Sequence, residues 1–207
     1  MNEFRLVMCD VGGVLIDHEE ERHYRYLAAA LGVPPEKLIP IGSKFARLLE
    51  RREITMKEVE KSLSRTFGIS QSKTRGSWAR TFRKSVKVRE IVKDLLQKLA
   101  AEGVKIAITT NTNLSDYRSL YGKDGLLKEL RKYRIFASCF MGVAKPDPEY
   151  YKYVLKSMNA VPEETLFVDD KLEYLKPAGE LGITTIPFKD YGGLVKDLSK
   201  LGFKLDY

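Results

Sequence analysis

Five stretches of the chain are apolar almost without interruption: LVMCD within RLVMCDVGGVLID (5–17), KIAITT (105–110), RIFASCF (134–140), TLFVD (165–169) and ITTIPF (183–188). They are rich in β-branched or aromatic residues and lack the polar alternation of a half-exposed strand, so they read as strands buried on both faces. Between them the spacing turns helical, in VREIVKDLLQKLAAEG (88–103), PEYYKYVLKSMNA (148–160), LEYLKPAGELG (172–182) and GLVKDLSKLG (193–202). Strand and helix in alternation predict an α/β fold, a Rossmann-like parallel sheet covered by helices in three layers. One interval breaks the rhythm. Residues 18–86 hold helical patterns and turn signals but no strand: prolines sit at a helix start in LGVPPEKL, and Thr55 and Glu58 stand at capping-box spacing. The pattern therefore predicts a core of 1–17 and 87–207, with an all-helical cap of 18–86 inserted after the first strand.

In open α/β sheets ligands sit beyond the carboxyl ends of the strands. The first strand ends at Asp10, followed by Gly12 and Gly13; KIAITT ends at Thr110, followed by Asn111. The loop after RIFASCF carries Lys145 in AKPDPEYY, and TLFVD ends in Asp169 with Asp170 next. Taken singly, these are ordinary turn, capping or solvated residues. Delivered together to one rim, they form a chemical set. The carboxylates are hard oxygen ligands of the kind Mg²⁺ prefers. The lysine suits a phosphoryl group or a carboxylate nucleophile, and Thr110 and Asn111 can donate to phosphoryl oxygens. Asp10 can then act as a nucleophile and form an aspartyl-phosphate. The two glycines let the main chain approach ion and substrate.

Composition narrows the partners. Hydrophobic residues make up 43% and charged residues 31% of 207 residues, the balance of a globular protein. No window approaches the ~20 apolar residues of a membrane span, and the N-terminal run, interrupted by Asp10, does not read as a signal peptide. Two cysteines, Cys9 and Cys139, far apart in sequence, fit a cytoplasmic protein with reduced thiols. The net charge of +8 suits small anionic substrates. Most of the basic residues alternate with glutamates, as on solvated helix faces, and only residues 72–87 form a basic stretch that nucleic acid could use. Oligomeric state has no signature in the pattern.

The order of these motifs resembles the haloacid dehalogenase superfamily of aspartate-nucleophile hydrolases: Asp10 in CDVGGVLID, Thr110 in ITTNTN, Lys145 in AKPDPEYY, and Asp169–Asp170 in LFVDDKLEYLKPAGELGI. The helical interval is similar to that superfamily's four-helix cap, and LERREIT to a recurrent cap turn. Within the superfamily the chain looks closest to the branch of bacterial α-D-glucose-1-phosphate phosphatase, through Asp-x-Gly-x-Val and NTN. The resemblance implies a phosphohydrolase acting on a small phosphorylated metabolite, with Asp10 as nucleophile. It implies Mg²⁺ held by Asp10, the Gly12 carbonyl and Asp170, with Asp169 a ligand or just behind, phosphate on Thr110 and Asn111, and Lys145 orienting Asp10.

Two positions depart from the pattern. Gly12 stands where most family phosphatases carry a second aspartate that protonates the leaving group, help typically worth about 10²–10⁴-fold. Substrates with acidic leaving alcohols, such as an anomeric sugar phosphate or an aryl phosphate, should suffer least. Asp17 and His18 are the nearby candidates for a replacement, and both are expected to lie too far along the approach to the cap. Tyr174 stands where many relatives carry Asn or Asp. Dehalogenase or phosphonate-cleaving chemistry is an alternative, the latter requiring a cap lysine such as Lys44 or Lys57, as is a lapsed enzyme that only binds. Tyr24, Tyr26, Arg47, Arg51, Trp78 and Arg80 are available in the cap to meet a leaving group.

Overall fold

Every residue of the first strand, β1 (Leu6–Asp10), is buried, because it is central to a five-stranded sheet and sandwiched between two helical layers. The computed structural model describes residues 3–205. After β1 come β2 (Ile16–Asp17), α1 (Glu20–Leu31), α2 (Pro35–Glu50), α3 (Met56–Phe67), α4 (Gln71–Thr74), α5 (Ser77–Ser85) and β3 (Lys87–Val88). The chain then alternates through α6 (Glu90–Ala101), β4 (Lys105–Thr110), α7 (Leu114–Tyr121), β5 (Arg134–Ala137) and α8 (Ser138–Met141). It ends with α9 (Pro148–Met158), β6 (Thr165–Asp169), α10 (Leu172–Glu180), β7 (Thr184–Pro187) and α11 (Tyr191–Lys200).

The sheet order is β5-β4-β1-β6-β7, with every pair parallel. Side chains alternate across it, as the period of two requires. Val7, Cys9, Leu166 and Val168 join α6, α7 and α11 on one face, whereas Leu6, Met8 and Phe167 join α9 and α10 on the other. The chain leaves β1 toward β4 on one side and returns to β6 on the other, so the crevice opens at the carboxyl end of β1.

The stretch 134–140, expected as one strand, is strand only to Ala137 and then turns into α8. The reason is register. Ala137 pairs with Thr110, the last residue of β4, so Ser138 has no strand left to pair with; its hydroxyl bonds the Thr112 main chain instead.

Between β2 and β3 the five helices share a core of their own around Tyr24, Leu27, Leu31, Leu38, Leu63 and Trp78. Four are long and α4 is a single turn. The Thr55–Glu58 capping box forms, with the Thr55 N–H donating to Glu58 Oε2 at 2.7 Å and the Glu58 N–H to Thr55 Oγ1 at 3.3 Å. The basic stretch 72–87 folds into α4 and α5: Trp78 and Phe82 point inward, Arg83 donates to the carbonyls of Ser119 and Asp124, and Lys84 lies over the Tyr26 ring. Both chain crossings pass through the antiparallel β2–β3 ribbon. Arg22 clamps it, donating to the carbonyls of Asp17 (2.9 Å) and Ser85 (3.0 Å). Among the described residues no helix is long and apolar enough to cross a membrane. Cys9 and Cys139 are buried free thiols.

Candidate active site

The carboxyl ends of β1 and β6 place Asp10 and Asp169 side by side, and the loop before α9 drops Lys145 between them. Its ammonium donates to Asp10 Oδ1 at 2.5 Å and to Asp169 Oδ2 at 2.6 Å, with the Lys145 and Asp169 side chains wholly buried. Burial pushes the Asp10 carboxyl above the ordinary carboxylate range, against the pull of Lys145. Burial alone would lower Lys145, but the two carboxylates override it and hold the ammonium above its usual value. The rings of Tyr174 and Phe167 flank Nζ, with centroids at 5.0 and 5.3 Å. Such contacts stabilise a desolvated cation.

Asn111 fixes the lysine from its backbone. Its Nδ2 donates to the Lys145 carbonyl at 2.7 Å, and its Oδ1 accepts the Lys145 N–H at 3.0 Å. The side-chain amide of Asn111 is thus engaged with the loop. Thr110 is buried at the end of β4, and its N–H donates to the Tyr150 hydroxyl at 3.1 Å, which in turn donates to the Phe136 carbonyl at 2.6 Å.

The glycines differ in kind. Gly13 has φ +78°, donates to the Ile16 carbonyl and accepts from Arg89 at 2.6 Å. A Cβ there would fall 2.2 Å from Asp170 Oδ2, so only glycine lets that carboxylate lie against the turn. Gly12 is roomy: a Cβ would meet only Asp10 Oδ2, at 3.9 Å. A side chain at position 12 would therefore start beside the free oxygen of Asp10.

Carboxylate oxygens of Asp10, Asp169 and Asp170 lie within 4.8 Å of one another, an all-oxygen set fitting a hard divalent cation. Asp169 is already committed, Oδ2 to Lys145 and Oδ1 to the Lys171 N–H at 2.9 Å. Asp10 Oδ2 and Asp170 keep free oxygens, and the Gly12 carbonyl accepts no hydrogen bond among the described residues. The cradle closed by Gly13 suits a metal held by these three groups, with Asp169 behind.

A cavity of about 530 Å³ stands over this rim, enclosed by α1, α2 and α5. Tyr24, Arg47, Trp78, His18, Glu50 and Asp116 line it; a second arm bordered by Arg51 and Lys145 shares Glu50, Asn111 and Tyr174 as walls. Asp116, buried against the inserted helices, accepts from Asn113 Nδ2 at 2.6 Å and Trp78 Nε1 at 3.2 Å. Burial still pushes its pKa up to about 7. Glu50 is pushed up to about 6, first by burial and then by Glu20. His18 Nδ1 is buried without a partner, and burial pushes the ring down to about 4. Asp17 lies outside the cavity, paired with Arg22 at 3.3 Å and facing Arg89 at 3.9 Å. Lys44 and Lys57 line neither arm.

The family model of haloacid dehalogenase-like hydrolases matches residues 4–182. The chain belongs to that family. As a member of the haloacid dehalogenase-like hydrolases it has the α/β sheet and inserted helices that its structural relatives share. A Bacteroides thetaiotaomicron haloacid dehalogenase family enzyme, solved with magnesium and inorganic phosphate, superposes with a TM-score of 0.75 at 26% identity, over 92% of this chain and 98% of that one. A sesquiterpene phosphatase of Aspergillus oryzae is 28% identical over 96% of each chain. A bifunctional epoxide hydrolase of Rattus norvegicus is 33% identical over 68% of this chain, but the match spans only 24% of that larger protein. The structure brings together Asp10, Gly12, Thr110, Asn111, Lys145, Asp169 and Asp170 at one rim. The sequence reading missed Arg89, which ties down the Gly13 turn, and Asp116, Glu50 and Tyr150. Arg89 opens a helix as any surface arginine would, and Asp116 occupies a short helix that the pattern did not reveal.

Proposed function

We propose that this hydrolase is a Mg²⁺-dependent phosphatase of small phosphorylated metabolites, with Asp10 as nucleophile. The carrying observation is the asymmetry of Asp10: Lys145 holds Oδ1, while Oδ2 faces Gly12 and takes no side-chain hydrogen bond among the described residues. Residues 18–86 act as the cap and 1–17 with 87–207 as the catalytic core. The Asp10 carboxylate, Asp170 and the Gly12 carbonyl would hold the metal, which when bound would neutralise phosphoryl charge. Asp10 Oδ2 attacks phosphorus, the leaving oxygen departs with the P–O electron pair, and an aspartyl-phosphate forms. Water then attacks that phosphorus and restores Asp10. Lys145 keeps Oδ1 from competing and balances Asp169. The main-chain N–H of Asn111 and the Thr110 hydroxyl receive phosphoryl oxygens, since the N–H groups of Thr110 and Thr112 are engaged by Tyr150 and Ser138. Asn111 acts through the Lys145 loop, since its amide is engaged there.

Gly12 supplies no proton to the leaving group, which favours substrates whose alcohol leaves readily, an anomeric sugar phosphate among them. Asp17 is held by arginines and lies outside the cavity, so it does not take that role; His18, expected to lie too far away, does line the cavity. Phosphate release from para-nitrophenyl phosphate and α-glucose-1-phosphate, with Mg²⁺ or chelator and beside Asp10→Asn, tests the reading. Mg²⁺-dependent turnover that disappears in the variant is expected. Tight phosphate binding without turnover would make the protein a lapsed binder, and metal-independent turnover would overturn the metal site.

A further inference from the structure

The inserted helices and the sheet layer enclose a further concavity of about 560 Å³, which shares Asn113 as a wall with the catalytic cavity. One wall comes from the α2–α3 turn and α5, the other from α7 and α8. Its floor is apolar, formed by Leu49, Ile54 and Met56 against Leu114 and Phe140, and the last two stay 42% and 57% exposed. Large apolar side chains left that open beside a groove mark a ligand or partner site more often than a chance surface.

The charges around it are of one sign. No aspartate or glutamate lines the groove, while Arg52, Arg83 and Arg118 do. Arg83 is committed to the carbonyls of Ser119 and Asp124. The Arg52 and Arg118 side chains make no hydrogen bond or ion pair among the described residues, although the chain carries 28 acidic side chains that could have served. Arg52 is also held at φ +60°, a left-handed conformation that a non-glycine residue keeps only at a cost. The turn thus holds an unpaired guanidinium at the groove edge.

We propose that this groove binds a small amphipathic anion, an aliphatic chain ending in a carboxylate, with the chain on Leu114 and Phe140 and the head between Arg52 and Arg118. Guanidinium and carboxylate match as planar, bidentate partners. Because the two walls belong to different layers, the occupant bridges cap and core. Arg52 also borders the second arm of the active-site cavity, so the head group and the catalytic cleft share one side chain. The site does not depend on the phosphatase reading.

Calorimetric titration of the full chain with decanoate, decanol and decyltrimethylammonium separates the terms. Decanoate should bind with one site per chain, decanol at least tenfold more weakly, and the ammonium not measurably. The exposed pair Arg52→Gln/Arg118→Gln should weaken decanoate tenfold or more with an unchanged melting temperature, and Phe140→Ser should weaken both decanoate and decanol. Inorganic phosphate with Mg²⁺ should leave decanoate binding intact. Equal binding of decanoate and decanol would overturn the charge argument. Displacement by phosphate would relocate the ligand to the catalytic cavity and overturn the site. A concentration-dependent dimer that Phe140→Ser dissolves, with no decanoate binding, would mean that a second copy covers the groove and would overturn the proposal equally.

Discussion

Replacing Lys145 with methionine keeps its length and removes its charge, leaving Asp10 and Asp169 facing each other in a buried site. Both carboxylates now sit 2.5 and 2.6 Å from the ammonium, and neither Lys145 nor Asp169 has exposed side-chain surface. Breaking a buried pair by removing one partner costs about 3–5 kcal/mol, because the other charge is left uncompensated. In a domain of this size each kcal/mol shifts the melting temperature by roughly 2–4 °C, so Lys145→Met should melt about 6–20 °C lower in chelator. The loss has a pH sign. Without the ammonium the buried Asp10 carboxyl, already raised by burial, binds its proton more tightly folded than unfolded, so that part of the stability is present at low pH and falls as pH rises. The deficit should therefore be larger at pH 8 than at pH 5. Mg²⁺ at pH 8 should restore part of it, since a second cation reaches Asp10. Thermal unfolding by circular dichroism of both proteins, at both pH values with chelator and with Mg²⁺, is the assay. A shift below about 2 °C at pH 8 in chelator would show that Lys145 is not compensating these carboxylates.

Three further outcomes follow from particular positions. Gly12→Asp has room for its Cβ and starts beside Asp10 Oδ2; it should raise turnover of alkyl phosphates roughly 10²-fold while changing para-nitrophenyl phosphate little, and an unchanged ratio of the two rates would count against the missing-acid argument. Gly13→Ala should weaken Mg²⁺ binding, read by titration calorimetry, because its Cβ would meet Asp170 at 2.2 Å from an unfavourable φ of +78°; wild-type affinity would free Asp170 from the proposed site. Trp78 is the one tryptophan of the chain, and its indole N–H rests on Asp116, so its fluorescence should titrate near pH 7 and stop doing so in Asp116→Asn. Since burial raises Asp116 in the folded state, its contribution to metal-free stability is full below about pH 4 and is lost as pH rises through about 7.

What could be read in advance follows from where the signal lies. Strands buried on both faces show as unbroken apolar runs, and the residue that ends each run falls at the rim, so Asp10, Thr110 and Asp169 were legible from local pattern alone. Lys145 was legible through the loop that follows the RIFASCF stretch, which in the structure is the loop between α8 and α9. The helix α7 was not, because its pattern is inverted: Leu114 is exposed and Asp116 buried, with Asn113 capping the helix through Ser115 and Asp116. The end of β5 was not legible either, since it is set by where the neighbouring strand stops and not by its own composition. The role of Asn111 is likewise tertiary. A polar residue after a strand can bind phosphate or brace a loop, and only the fold shows its amide paired with the Lys145 main chain.

The two-residue ribbon through which the chain enters and leaves the helical insertion has an architectural consequence. Asp17 and Lys87 are paired neighbours, so the two cut points of the sheet layer lie next to each other, in a geometry that a two-residue turn can join. The sixty-nine intervening positions, 18–86, thus enter and leave at one point, although Phe82 and Val86 pack into the core of the sheet layer and any exchange of the insertion must supply that packing. If the proposed division of labour holds, the segment that meets the leaving group and the layer that carries out the bond exchange are joined at one junction, a natural splice point for building chimaeric proteins.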